Sequence, residues 1–387
     1  MHTENQIGES QCNIGSAPLA NSAVVYSTNA AVNRSTNGDN STETDVDNAT
    51  QNHDTPTSRQ SETNSMSCVR KMFREQGLSR QTVSILMSSW RSSTKKQYQS
   101  YINRWFQYCS KRKVDYVRPN LNQVLEFLTV LFETGLSYSS LNTARGALSA
   151  LGITIQNHLI GRHPLIIRYL KGVFNLRPSI PRYNYTWDVN KVLTYLRKLS
   201  PVKYLSLKDL TLKLCMLIAL TNAARIQSIH LLCVHSVKKF SSEFICGFDD
   251  LLKQSRPGYK DPLLTMKAYP PDRRLCTYLV MKEYLSRTKN LRGNHSKLFI
   301  SYVKPHKEVT KDTISRWIKT VMARSGVNTN VFGAHSVRSA SSSKAYRNKV
   351  PIKDILEKAG WSNASTFARF YKKPIDREDT FVTGVFQ

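Results

Sequence analysis

From about residue 78 onward, apolar side chains return every three or four positions, the period of helices buried along one face. Tyr98, Ile102, Trp105, Phe106 and Cys109 mark one such face. Asn120 reads as the N-cap of a second helix that runs through Leu121, Val124, Leu125, Leu128, Leu131 and Phe132 and stops near Gly135. Tyr138, Leu141, Ala144, Leu148 and Leu151 define a third helix, ended by Gly152, and 164–174 a fourth. Residues 78–175 are therefore expected to form a helical bundle. Residues 176–185 contain Pro178 and Pro181 without any period and read as a linker.

Beyond the linker, 188–199 and the more apolar 207–222 predict helices, the second one buried. The pattern then changes. Residues 240–267 mix aromatic and branched residues with the turn signals Gly247, Pro257, Gly258 and Pro262, which predicts a small antiparallel sheet. Helices follow at 275–287, at 313–324 with Ile314, Trp317, Ile318 and Val321 inward, and at 336–346, 352–359 and 365–371. The expected fold class is mainly α: an N-terminal helical bundle plus a mixed α+β domain over 186–387. Residues 1–67 lack the pattern altogether. Rich in Ser, Thr and Asn, with Tyr26 as their one aromatic residue, they read as a disordered tail.

Charge sharpens this division. The 387 residues carry 56 Lys and Arg against 27 Asp and Glu, a net charge of +29, yet residues 1–67 hold eight acids and two bases. The tail is thus acidic, at −6, and the remainder carries +35. Such an excess calls for a polyanionic partner, nucleic acid or an anionic membrane surface. Membrane residence is not expected: the longest pure apolar run, Leu214 to Leu220, is far short of a spanning helix, and the polar start is no signal peptide. Lys95, Lys96, Arg104, Lys111, Arg112 and Lys113 flank the apolar stripe of the first bundle helix and are the candidate contacts to DNA phosphates. Seven scattered cysteines without a Cys-x-x-Cys pair suit reduced thiols in an intracellular protein.

Chemistry-bearing residues concentrate in the C-terminal third: Gly333-Ala-His335-Ser-Val-Arg338, then Gly360-Trp361-Ser, then Phe367-Ala-Arg-Phe-Tyr371. Upstream stand Thr221-Asn-Ala-Ala-Arg225 and Leu252-Lys253-Gln-Ser-Arg-Pro-Gly. Cutting a phosphodiester without metal requires a nucleophile, cations for the non-bridging oxygens and a proton for the departing oxygen. This set offers all three. A histidine three residues before an arginine at a helix start shares its face.

In their order, these motifs resemble the tyrosine recombinase (phage integrase) family over roughly residues 78–380. The wording around His335, Gly360 and Phe370-Tyr371-Lys-Lys-Pro is most similar to the recombinases of eukaryotic DIRS-like retrotransposons and Crypton elements. The resemblance implies that Tyr371 attacks a scissile phosphate, leaving a 3′-phosphotyrosine and a free 5′-hydroxyl. It implies that Arg225 and Arg338 grip the phosphate with forks of donors and that His335 assists. Lys253, on the hairpin, would protonate the 5′-oxygen, with Arg256 and Lys260 as rivals. Trp361 stands where the family uses His or Trp and reads equally as a core residue behind the cap Gly360. Tyr346, on the helix of His335, is a weaker candidate for the nucleophile.

Many members of the family carry an acid three residues after the first arginine, where this chain has Ser228. A catalytically weak or inactive DNA-binding derivative of such a recombinase is therefore the alternative. His230, Cys233 and His235 form the nearest approach to a metal cluster, but no second cluster accompanies them, and no phosphate-binding glycine loop is present. No cofactor, metal or ATP is expected. Double-stranded DNA is the expected partner, with two domains clamped on it, a homotetramer on paired sites and exchange of the apolar C-terminal tail. Integration or excision of a mobile element, in the nucleus, is the expected setting.

Overall fold

The computed structural model describes residues 66–178, 183–248, 250–258, 261 and 263–375. The acidic tail up to residue 65, the rival Lys260 and the C-terminal tail from 376 lie outside the described residues. The chain divides into two compact units at Ile180 and Pro181.

The first unit holds six helices among the described residues: α1 (Ser67–Glu75), α2 (Arg80–Ser88), α3 (Ser92–Arg112), α4 (Leu121–Glu133), α5 (Tyr138–Ala150) and α6 (Pro164–Leu176). Helix α1 was not anticipated from the sequence. Its Val69 is buried with the preceding Met66, so the bundle starts at about residue 66 rather than 78. Asn120 caps α4 in a full capping box with Gln123, and Ser137 caps α5 through the amide of Ser140. Trp105, wholly buried, sits among Tyr108 and Phe127 and donates its indole N–H to the carbonyl of Tyr116 at 3.1 Å. A two-residue ribbon, β1 (Thr154–Ile155) with β2 (His158–Leu159), turns the chain between α5 and α6.

In the second unit, α7 (Val189–Lys198) and α8 (Leu207–Thr221) precede a short α9 (Ile226–His230). Every residue of α8 from Leu210 to Leu220 is buried, so this helix is the axis of the core. Lys213 is buried with them; its ammonium donates to the carbonyl of Leu199, and burial pushes it down to about 8. The sheet, in order β3 (Leu232–Lys239), β4 (Glu243–Phe248), β5 (Leu264–Lys267), is antiparallel, with a bulge between Leu232 and Val237. Helices α10 (Thr277–Thr288), α11 (Lys311–Arg324), α12 (Ser336–Arg347), α13 (Ile352–Ala359) and α14 (Ala364–Phe370) complete it. After α14 the chain returns to its own unit: Ile375 bridges Thr186, whose amide donates to the carbonyl of Pro374 at 2.8 Å. His230, Cys233 and His235 belong to the α9–β3 junction. Cys233 is buried, and among the described residues no three His, Cys, Asp or Glu come together. No described helix is long and apolar enough to cross a membrane.

Candidate active site

The end of α8 is built to throw Arg225 outward. Asn222, fully buried, donates to the carbonyl of Ile218 and accepts from the amide of Thr265 on β5, tying the helix end to the sheet. The next residue, Ala223, adopts a left-handed φ of 42°, which a non-glycine residue pays for and keeps only where its surroundings hold it. Arg225 then caps α9, with Nη1 donating to Oε1 of Gln254. Ser228, on the inner side of α9, is buried.

Arg338 lies in the first turn of α12, only 2% exposed. Its two terminal nitrogens donate to the carbonyls of Ala223 and Ala359, both at 2.5 Å, so one guanidinium ties together the end of α8 and the end of α13. Arg225 and Arg338 line the same cavity, with Ser228, Gln254 and Lys358 beside them. The two arginines therefore do not face separate spaces.

Helix α13 stops at Gly360, left-handed at φ 64°, and the amide of Trp361 reaches back to the carbonyl of Leu356 at 2.8 Å. This stop places the indole of Trp361 against the guanidinium of Arg338, 4.4 Å from its centroid. Trp361 is 8% exposed and packs with Phe367 and Ile355, as its reading as a core residue expects, and it also lines a cleft with Arg225 and Arg256. The ring of Tyr371 rests on Trp361 with centroids 4.4 Å apart, and Arg338 lies 5.6 Å from the phenol's centroid. Expected as the last residue of a helix, Tyr371 stands one residue beyond α14 as its C-cap. Tyr346 packs on Phe367 instead, in the small core beneath.

The His335 ring lies 6.5 Å from that of Tyr371. By surface area His335 is exposed, although many protein atoms surround its ring. Desolvation, followed by the charges of Arg338, Arg225 and Lys253, pushes the imidazole down to about 4. Lys253 is exposed on the β4–β5 loop, between Leu252, buried as an anchor, and Gln254, which holds Arg225. Arg256 lines the neighbouring cleft with Arg225 and Trp361.

On α3, the six candidate DNA contacts do not share a face. At about 100° per residue, Lys96, Arg104 and Lys111 fall within about 80° of one another and point away from the core. Lys95 lies on the flank, Arg112 falls on the core side where only the helix end exposes it, and Lys113 is the left-handed C-cap. Two neighbours of the site were not singled out from the sequence. Gln254 adjoins the hairpin lysine, and Lys358 donates to the hydroxyl of Thr265 from the cavity wall, its ammonium pushed down chiefly by burial and then by Lys267.

Residues 201–377 match the model of the phage integrase family. Among solved structures, XerH site-specific recombinase bound to palindromic difH substrate is 17% identical, with a TM-score of 0.53 over 75% of this chain and 79% of that one. A pre-cleavage complex of XerH is 15% identical, at 0.53 over 83% and 95%. The Tn1549 transposon integrase in complex with transposon right end DNA is 13% identical, at 0.51 over 82% and 97%. These likenesses establish the fold. Comparison with curated protein sequences gives no match.

Proposed function

Because its segment 201–377 matches the model of the phage integrase family, we propose that this protein is a site-specific tyrosine recombinase that cuts and rejoins double-stranded DNA. The observation that carries the reading is convergence. Arg225 and Arg338 share a cavity, Trp361 joins Arg338 to Tyr371, and the fields of Arg225, Arg338 and Lys253 meet at His335.

In this reading the phenol oxygen of Tyr371 attacks phosphorus, the bond to the 5′-oxygen breaks, and a 3′-phosphotyrosine remains. Arg225 and Arg338 compensate the charge on the non-bridging oxygens; preorganised donors of this kind are each worth about 10²–10³ in rate. His335, pushed down to about 4, is neutral at pH 7 and too weak a base to keep the phenol proton, so it serves as a hydrogen-bonding partner at the phosphate while that proton passes to solvent. Lys253 gives a proton to the leaving 5′-oxygen. It stands on an exposed loop, next to the Gln254 that accepts from Arg225. Because the protein–DNA link conserves the energy of the phosphodiester, religation needs no ATP.

The finer setting belongs to the same proposal. The outward cations Lys96, Arg104 and Lys111 would hold the duplex backbone, four protomers would act on paired sites, and the tail beyond 375 would pass between them. The motif wording supports integration or excision of a mobile element of the DIRS or Crypton kind, in a nucleus. Buried Ser228 favours one alternative, a DNA-binding protein that has lost catalysis.

A nicked suicide duplex decides between them. The parent is expected to accumulate a covalent adduct whose modified peptide contains Tyr371, and Tyr371→Phe to bind the duplex without forming it. Binding without any adduct in the parent would establish the alternative.

A further inference from the structure

Beyond the groups that touch the phosphate, something must hold the nucleophile's backbone in register with them. Tyr371 has left its helix, with φ −125° and ψ −21°, and its carbonyl has no place in a helical ladder. That carbonyl accepts the hydroxyl of Ser343 at 2.5 Å, and the hydroxyl of Ser339 approaches it at 3.4 Å. The Ser343 oxygen in turn accepts the amide of Lys373 at 3.1 Å. One hydroxyl thus clasps the chain on both sides of Lys372. Both serines are buried, at 4% and 2% exposure, where an unmet carbonyl is costly.

The position of these serines on α12 gives the contacts their meaning. His335, Ser339 and Ser343 follow at intervals of four and stand in a row on one face, while Arg338 sits one residue before Ser339. The helix whose first turn carries His335 and Arg338 therefore uses the same face to fix the segment that bears Tyr371. We infer that Ser343, seconded by Ser339, is a positioning residue that sets the distance of the Tyr371 phenol from the phosphate gripped by Arg338.

This inference rests on Tyr371 as nucleophile, and one experiment separates the two. Single-turnover cleavage of a suicide duplex is measured for the full-length parent, Ser343→Ala, Ser343→Cys, Ser339→Ala and Lys253→Ala. A second duplex carries a bridging sulfur in place of the 5′-oxygen, so that a thiolate leaves and needs no proton. Misplacement of a reacting group by about 1 Å costs about 10²-fold. Ser343→Ala is expected to cleave about 10- to 100-fold more slowly, with duplex Kd within about twofold of the parent, and Ser343→Cys to behave alike, since a thiol is a weak donor. The longer contact of Ser339 predicts a milder loss of about two- to fivefold, which is read even if Ser343→Ala does not fold. The sulfur substrate should relieve Lys253→Ala and leave the serine variants slow. A parental rate in Ser343→Ala or Ser343→Cys, relief of either by the sulfur substrate, or a loss of DNA affinity as large as the loss of rate overturns the inference. A parent that forms no adduct on Tyr371 overturns the proposed function and this inference with it.

Discussion

Replacing Arg338 by lysine keeps the charge and removes the fork. The guanidinium now serves the carbonyls of Ala223 and Ala359 together, from a position 2% exposed. An ammonium on a shorter stem can serve one of them. Hydrogen bonds from charged donors contribute about 1.5–3 kcal/mol each, and a buried carbonyl left unmet costs about 1–3 kcal/mol, so the variant should lose about 2–3 kcal/mol of stability. Against a typical total of about 5–15 kcal/mol, it still folds. Cleavage should suffer more. Loss of one preorganised donor to the phosphate slows the reaction by about 10²–10³, and Ala223, released from its clasp, no longer holds the bend that aims Arg225. The assay is single-turnover formation of the tyrosyl–DNA adduct, read beside a urea denaturation curve. A folded Arg338→Lys variant that forms adduct at the parental rate would refute the argument that both carbonyls and the phosphate depend on a planar fork.

Neutralising Lys96, Arg104 and Lys111 together as glutamine should make the plot of log binding constant against log salt shallower by about 2.7, the share of three phosphate contacts, as titration of a labelled duplex at several salt concentrations would show. An unchanged slope would mean that this face of α3 does not meet DNA. His335 makes a pH signature. Its folded value is pushed down to about 4 from the ordinary 6.5, so the unfolded chain binds a proton that the folded one refuses. Its contribution to stability is full above about pH 6.5 and is lost as pH falls toward 4. His335→Gln should flatten that acid limb in denaturation midpoints taken from pH 4 to 7, and a limb of equal steepness in both proteins would contradict the shift.

Much of the helical frame was legible because most helices have one clear dry face, α8 being buried all round. The second-unit helix 352–359 coincides with α13, and Asn120 caps α4 as expected. Strand β3 was missed for a physical reason: Leu232 and Cys233 are both buried and the bulge breaks the alternation, so no period of two survives from Leu232 to Val237. At the site, Arg225, His335, Arg338, Trp361 and Tyr371 could be nominated as separate motifs, since their residue types carry the chemistry. What brings them together could not be read. The left-handed Ala223, the carbonyls that orient Arg338, the Gln254 contact and the serines of α12 are tertiary relations between residues up to 115 positions apart, and no local pattern announces them. The α3 cations show the converse limit: their number was plain in the sequence, but helical phase splits them into a usable fan of three and three that point elsewhere.

The return of the chain after α14 has a consequence for whose strand is broken. Phe367 is rooted in the small core, and Ile375 is stitched to Thr186, while the ammonium of Lys373 donates to the carbonyl of Tyr183 at 2.6 Å. Between the Phe367 and Lys373 anchors lie five residues, a span of at most about 21 Å if fully extended, so the phenol cannot travel far from Trp361 and Arg338 without peeling the bridge apart. Under the proposed chemistry each copy would sever only the backbone in its own grasp, and two crippled copies, one lacking the phenol and one lacking its arginine, would not mend each other.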